Sequence, residues 1–268
     1  MAVHYPADVE IFALCCIDDH NAGRDIDKKI KQLVSDKLAK TSSQYGEFRA
    51  TSESPLVLTA MLDLEQLLGR EIVWVRGVSW ETMIRKKKYI PNQVNRFCTS
   101  ILKIDPIFQY LYYRDLLPCK MRIGFRMDEV ERSEKPKETD YKYTERSYRL
   151  ASGKWISRWS YYGNWRETEY PLIENNVWHK QVQDFWNLKN IRFPQDSNCQ
   201  LCFWKPLQQL AKNFQDHSAL MKWAAVQEVI AGNQFKKEAS IFNTSKIGIQ
   251  KDFFFGTGSG CQAGFCTD

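Results

Sequence analysis

Residues 8–16 read Asp8-Val9-Glu10-Ile11-Phe12-Ala13-Leu14-Cys15-Cys16, a short apolar run with β-branched and aromatic side chains. Pro6 bounds it on one side and Asp18-Asp19 on the other, which marks a buried strand. Directly downstream, Ile26, Ile30, Leu33, Val34 and Leu38 recur at helical spacing between lysines and aspartates, so residues 24–40 form an amphipathic helix. Pro55 to Leu68 is a second helix, with Ser52 or Ser54 as its cap and Gly69 just past its end. Glu71 to Val75 (EIVWV) is a second strand and Trp80 to Lys87 a third, short helix. Thr99 to Tyr113 is helical, kinked or divided by Pro106, and Lys120 to Phe125 (KMRIGF) is a further strand. Strand and helix in alternation imply an α/β fold with a doubly wound, mostly parallel sheet covered on both faces.

The pattern breaks at Met127 to Lys142 (MDEVERSEKPKETDYK), a charged stretch nearly free of aliphatic side chains, read as a solvated loop or linker. Arg149 to Tyr170 is dense in Trp and Tyr and has room for a short hairpin. Asn176 to Asn187 and Phe203 to Ala231 are helical, the latter as two helices divided near His217-Ser218. The expected organisation is an α/β core over residues 1–133 and an aromatic-rich, helical, cysteine-containing part over 134–268.

Composition bounds the function. The chain of 268 residues is 43% hydrophobic and 26% charged, which excludes disordered and fibrous classes. A net charge of +6 suits a phosphate-bearing small ligand as well as nucleic acid, and decides neither. No apolar run approaches the roughly 20 residues that span a bilayer, and no stretch reads as a secretion signal. The expectation is a cytoplasmic protein with no membrane partner. In a reducing compartment the eight cysteines are buried thiols, metal ligands or reactive thiols rather than a disulfide framework.

Several segments, in order along the chain, carry a resemblance. Arg96-Phe97-Cys98-Thr99-Ser100-Ile101-Leu102-Lys103-Ile104-Asp105-Pro106 resembles an R-[FW]-C-T-x-x-L-K-x-x-P segment. Ile123-Gly124-Phe125-Arg126-Met127-Asp128-Glu129 resembles I-G-[IF]-R-x-D-E. Tyr170-Pro171-Leu172 precedes Ser197-Asn198-Cys199-Gln200-Leu201-Cys202, similar to Y-P-L followed by S-x-C-x-x-C. Cys261-Gln262-Ala263-Gly264-Phe265-Cys266 resembles a C-x-x-G-[FY]-C ending. Together they are similar to the phosphoadenosine phosphosulfate reductase-like family. That resemblance implies an adenine nucleotide α-hydrolase-like fold and binding of ATP, adenylyl sulfate or phosphoadenylyl sulfate. The activity it implies is sulfonucleotide reduction or sulfur transfer, with a sulfur donor or thiol reductant protein as partner. Adenylation and thiolation of an acceptor by ATP pyrophosphatase chemistry, or a non-catalytic interaction module, are the rival readings. The family opens with a strand and a Ser-Gly-Gly-x-x-Ser phosphate loop, whereas this sequence starts at Met1-Ala2-Val3-His4-Tyr5-Pro6, where the first helix of that unit would be ending. The expectation is a truncated or degenerate member. The Glu-Cys-Gly-Leu-His tail of the assimilatory reductases is also missing from the sequence, so thiol-based sulfate reduction is not supported in detail.

Candidate residues follow from chemistry and resemblance together. Arg96 and Lys103 would bind phosphate or sulfate, as a rigid fork and a point charge, with Thr99 beside them. Arg126 stands at an expected strand C-terminus, where open α/β sheets bind ligands, with pairing to Asp128 or Glu129 as its other reading. Asp18 and Asp19 would accept from a ribose, or else cap the next helix. Cys98 is the candidate catalytic residue, a thiol near cations that lower its pKa, or else a small buried hydrophobe. Cys199 and Cys202, with Cys261 and Cys266, would complete a four-cysteine shell for zinc or an iron–sulfur cluster; a redox disulfide and unlinked thiols remain alternatives. The cluster Trp155, Trp159, Tyr161, Tyr162 and Trp165 forms a hydrophobic lid or a base-stacking platform.

Overall fold

A computed structural model describes residues 1–41, 47–134, 140–153, 155–189, 191 and 199–249. The elements run β1 (Ile11–Leu14), β2 (Cys16–Ile17), α1 (Lys28–Ala39), β3 (Ala50–Thr51), α2 (Pro55–Leu68), β4 (Val73–Arg76) and α3 (Trp80–Lys87). A π-helical turn, Ser100–Ile104, leads into α4 (Asp105–Tyr113), β5 (Cys119–Arg122) and α5 (Val130–Ser133). Then come β6 (Tyr141–Arg149), β7 (Trp155–Tyr162), β8 (Arg166–Glu169), α6 (Pro171–Glu174) and α7 (His179–Asn187). Three helices follow: α8 (Leu207–Asp216), α9 (Ser218–Ala231) and α10 (Ile241–Thr244).

Local chemistry sets these boundaries. The Ser54 hydroxyl accepts from Leu56 N–H at the start of α2, Pro55 fills its first turn, and Gly69 ends it in the left-handed conformation (φ 63°). Asp27 accepts from Lys29 and Ile30 N–H to open α1, and Ser79 from Thr82 N–H to open α3. The expected helix over residues 99–113 is divided, with Pro106 in the first turn of α4. The split between α8 and α9 falls at His217, as the sequence indicates.

The fold is α/β. Among the described residues the strands pair two by two: β1 with β4 and β5 with β8, both parallel, and β2 with β3 and β6 with β7, both antiparallel. Ile11 is level with Val73 and Leu14 with Arg76, so β1 and β4 end side by side. Packed beneath are Leu14, Val34, Leu38, Phe48, Leu58 and Trp74, all buried. A larger cluster joins Cys15, Ile17, Trp80, Met83 and Leu102 to Leu201 from the turn before α8 and to Leu210, Met221 and Trp223 of α8 and α9.

The stretch 127–142 departs from the expected loop. It holds a 3-10 turn at Met127–Glu129, then α5, and the start of β6. Charge does not keep it in solvent, because the charges pair. The Glu129 carboxylate is buried between Arg126 and Arg132, and the Arg132 guanidinium lies 4.0 Å over the Phe125 ring. The hairpin is longer than expected and begins earlier, running from Tyr141 to Tyr162. Its base is buried. Trp165 is fully enclosed and meets Phe108 edge-on at 5.4 Å, while Tyr141 stacks on Phe108 at 4.2 Å. Trp159 and Tyr161 stay exposed, with Lys142 over both rings.

Candidate functional site

The C-terminal ends of β1 and β4 collect polar groups. Arg76, the last residue of β4, is buried and donates to the Asp18 carboxylate at 3.1 Å. Glu81, in the first turn of α3, accepts from the Asp18 and Asp19 N–H groups at 3.1 and 3.2 Å, which fixes the loop after β2. Burial pushes the Asp18 carboxyl upward, but hydrogen bonds from Ser79 and Arg76 and the charges of Arg76 and Arg49 outweigh it and hold its pKa low. Asp19 caps the 3-10 turn His20–Gly23, accepting from Asn21 N–H at 2.8 Å, while Asp27 and not Asp18 or Asp19 caps α1.

Segment 97–106 is laid against this end. A Cβ at Gly77 would stand 3.0 Å from the Ile101 carbonyl oxygen and 3.3 Å from Pro106 Cδ, so the missing side chain is what admits the close approach. The approach brings Lys103 Nζ within 3.4 Å of Glu53 Oε1. Glu53 belongs to a run, Thr51-Ser52-Glu53-Ser54, whose four polar residues are all buried. Its other oxygen accepts from Cys15 N–H at 3.2 Å and from the Thr51 hydroxyl, while Oε1 meets no hydrogen-bond donor among the described residues. A charged carboxylate with one oxygen held only by an ion pair is costly to bury, and such sites are where ligands or reactions are served.

Thiols surround the same carboxylate. Burial, then the Glu53 charge, pushes the Cys15 thiol far up. Cys199 is pushed up to about 12 by burial, with Glu53 and Cys98 adding to the rise. Cys98 is half-buried and packs with Phe97 and Ile101 on the main core cluster. Cys202 follows Cys199 by one turn, its N–H donating to Cys199 O at 3.0 Å.

Of the residues chosen from sequence, Lys103 and Cys199 thus meet at Glu53, Cys98 lies near Cys199, and Asp18 and Asp19 sit at the neighbouring strand ends. Thr99 precedes the π turn and makes no capping bond. The Arg96 guanidinium lies 5.6 Å from the centroid of the Trp204 ring. Arg126 takes its second reading: it is engaged by Asp128 at 3.0 Å and by Glu129 at 3.0 Å. Cys261 and Cys266 lie outside the described residues, among which no set of three or more His, Cys, Asp or Glu gathers as a metal cage. Sequence reading offered Ser52 only as a helix cap and singled out neither Glu53 nor Arg76 as a site residue. A lone carboxylate between hydroxyl residues gives no periodic signal; only its place between a two-residue strand and a helix cap marks it.

The arrangement defines an α/β protein with a polar, thiol-lined cluster at the carboxyl ends of two parallel strands. Comparison with protein-family models, with curated proteins and with solved structures gives no match.

Proposed function

We propose that the chain is an adenine-nucleotide-binding core similar to phosphoadenosine phosphosulfate reductase-like proteins, serving sulfonucleotide reduction or sulfur transfer. The observation that carries this reading is the convergence of Asp18, Arg76, Lys103 and the half-orphaned Glu53 at the carboxyl ends of parallel β1 and β4. Ligands of open α/β sheets bind there. In this reading the two parallel pairs are halves of one doubly wound sheet, Lys103 and Arg96 bind phosphate or sulfate, and Cys98 stands beside the reacting centre. Cys199 and Cys202, with Cys261 and Cys266, would hold zinc or an iron–sulfur cluster. The short Cys199–Cys202 turn suits two sulfur ligands. A cytoplasmic setting belongs to the same proposal; among the described residues no helix is long and apolar enough to cross a membrane.

One observation favours a second reading, a non-catalytic interaction module. Arg126 and Lys103 are both engaged by carboxylates of the protein itself. Calorimetric titration of ATP and of adenosine 3′,5′-bisphosphate into the anaerobically prepared chain separates the two. Micromolar binding that weakens in Lys103→Ala supports the nucleotide reading; no heat with either nucleotide sinks it.

A further inference from the structure

The foot of the β6–β7 hairpin meets the end of α4 at a group of phenol rings. Tyr112 and Tyr113 close α4, and Tyr162 closes β7. The Tyr112 ring stands at 76° to Tyr113, with centroids 5.5 Å apart, and at 89° to Tyr162, with centroids 6.0 Å apart. Rings that meet near a right angle form a corner rather than a stack, and Tyr112 makes such a corner with each of the other two. Phe108 stacks on Tyr112 at 5.7 Å and meets Tyr162 at 6.1 Å, so the apolar core braces both rings.

These rings border a half-open cavity of about 280 Å³. Its lining among the described residues is Tyr112, Tyr113, Tyr162, Asp115 and Leu117, with no basic side chain. Asp115 is exposed and holds the left-handed conformation (φ 54°), its N–H donating to Tyr112 O at 3.2 Å. Arg114, between Tyr113 and Asp115 in the chain, lies instead over Tyr110, 5.8 Å from its centroid. Among the described residues no cation of the chain stands over Tyr112, Tyr113 or Tyr162.

This lining selects by charge and by hydration. Ring faces carry negative potential and the carboxylate adds a full charge, so an anion is repelled. A hard metal ion takes six or more oxygen ligands, and here one carboxylate and three phenols surround an apolar corner. A methylated ammonium spreads its charge over methyl groups, which rest on ring faces and lose little on leaving water.

We propose that this cavity is an aromatic cage for a methylated ammonium group, carried by a free quaternary amine or by a trimethylated lysine of another protein. Tyr112, Tyr113 and Tyr162 supply the ring surface and Asp115 the counter-charge. The site shares no residue with the cluster around Glu53, and the inference does not depend on nucleotide binding.

The test titrates choline against the full chain and reads the ring-current shift of its methyl protons by nuclear magnetic resonance. The control is 3,3-dimethylbutan-1-ol, which has the same shape without the charge. The expected Kd for choline is about 1 mM, with the alcohol about tenfold weaker or worse. Tyr113 is 77% exposed, so its truncation leaves the core closed. Tyr113→Ala should weaken choline by about 3- to 30-fold, while Tyr113→Phe keeps the ring and stays within about twofold. Asp115→Asn retains a residue that tolerates the left-handed turn and should weaken choline about threefold or more. A short peptide bearing trimethyl-lysine, run beside its unmodified form, separates the sources. Binding tighter than choline assigns the cage to a modified lysine, and binding no tighter assigns it to a free amine. Equal binding of choline and the alcohol, no choline binding at about 20 mM, or unchanged affinity in Tyr113→Ala would each overturn the proposal.

Discussion

Lys103 Nζ and Glu53 Oε1 stand 3.4 Å apart, an ammonium with 39% of its side chain exposed against a carboxylate with 2%. This ion pair ties the π turn to the loop after β3, across the ends of β1 and β4. Its asymmetry matters: the lysine can turn to solvent or to an anion, whereas the carboxylate cannot leave.

Lys103→Met should therefore strand the Glu53 charge. Urea denaturation is expected to show a loss of about 1–3 kcal/mol, below the figure for a fully buried pair because Lys103 is partly hydrated. Loss of less than a few tenths would mean the pair is ornamental.

Asp18 makes stability depend on acid. Its pKa is depressed in the folded state, so the Arg76 contact contributes above the ordinary carboxylate range and is lost as pH falls through the depressed value. Half-exposure of Asp18 limits the effect to about 1 kcal/mol or less. Asp18→Asn should flatten the acid limb of a stability-versus-pH curve below about pH 4 and lower the plateau above it. An unaltered acid limb would show that other carboxylates set it.

Gly77→Ala places a methyl group 3.0 Å from a backbone oxygen that cannot swing away. The expected cost is about 1–3 kcal/mol. The near-ultraviolet circular dichroism should shift as segment 97–106 is pushed off the strand end. Wild-type stability would place the segment further from β4 than described.

Thiol reactivity should sort by burial. With Cys16 raised to about 12 and Cys15 also raised, and both thiols buried, alkylation of the metal-free native chain at pH 8 should spare both. The half-buried Cys98 should label before either. Mass spectrometry of the digested chain reads the order, and early labelling of Cys15 or Cys16 would contradict their burial.

Much of the N-terminal half was legible because its signals are local. The Ser54-Pro55 start and Gly69 stop of α2, and the bounds of α3, follow from capping chemistry alone. The main site was half legible. Lys103 and Cys199 carry chemistry in their residue types, but their partner Glu53 is brought to them by tertiary packing and by the side-chain-free approach at Gly77. The charged stretch from Met127 misled for the same reason. Composition reports charge, while burial depends on whether Glu129 finds Arg126 and Arg132, three residues away on either side. Strand pairing was the least legible feature, since β5 and β8 are neighbours in space with the whole β6–β7 hairpin between them in sequence.

That interposed hairpin sets an order of events in folding. Pairing of β6 with β7 closes a short loop and can form on a microsecond timescale, whereas β5 must wait for a partner more than forty residues away. Once zipped, the hairpin shortens that search, because its base carries Tyr141 and Trp165 onto Phe108 and leaves Arg166 level with Cys119. The arm acts as a local guide that converts a long-range pairing into a short one. Variants that weaken its base should slow refolding more than they hasten unfolding.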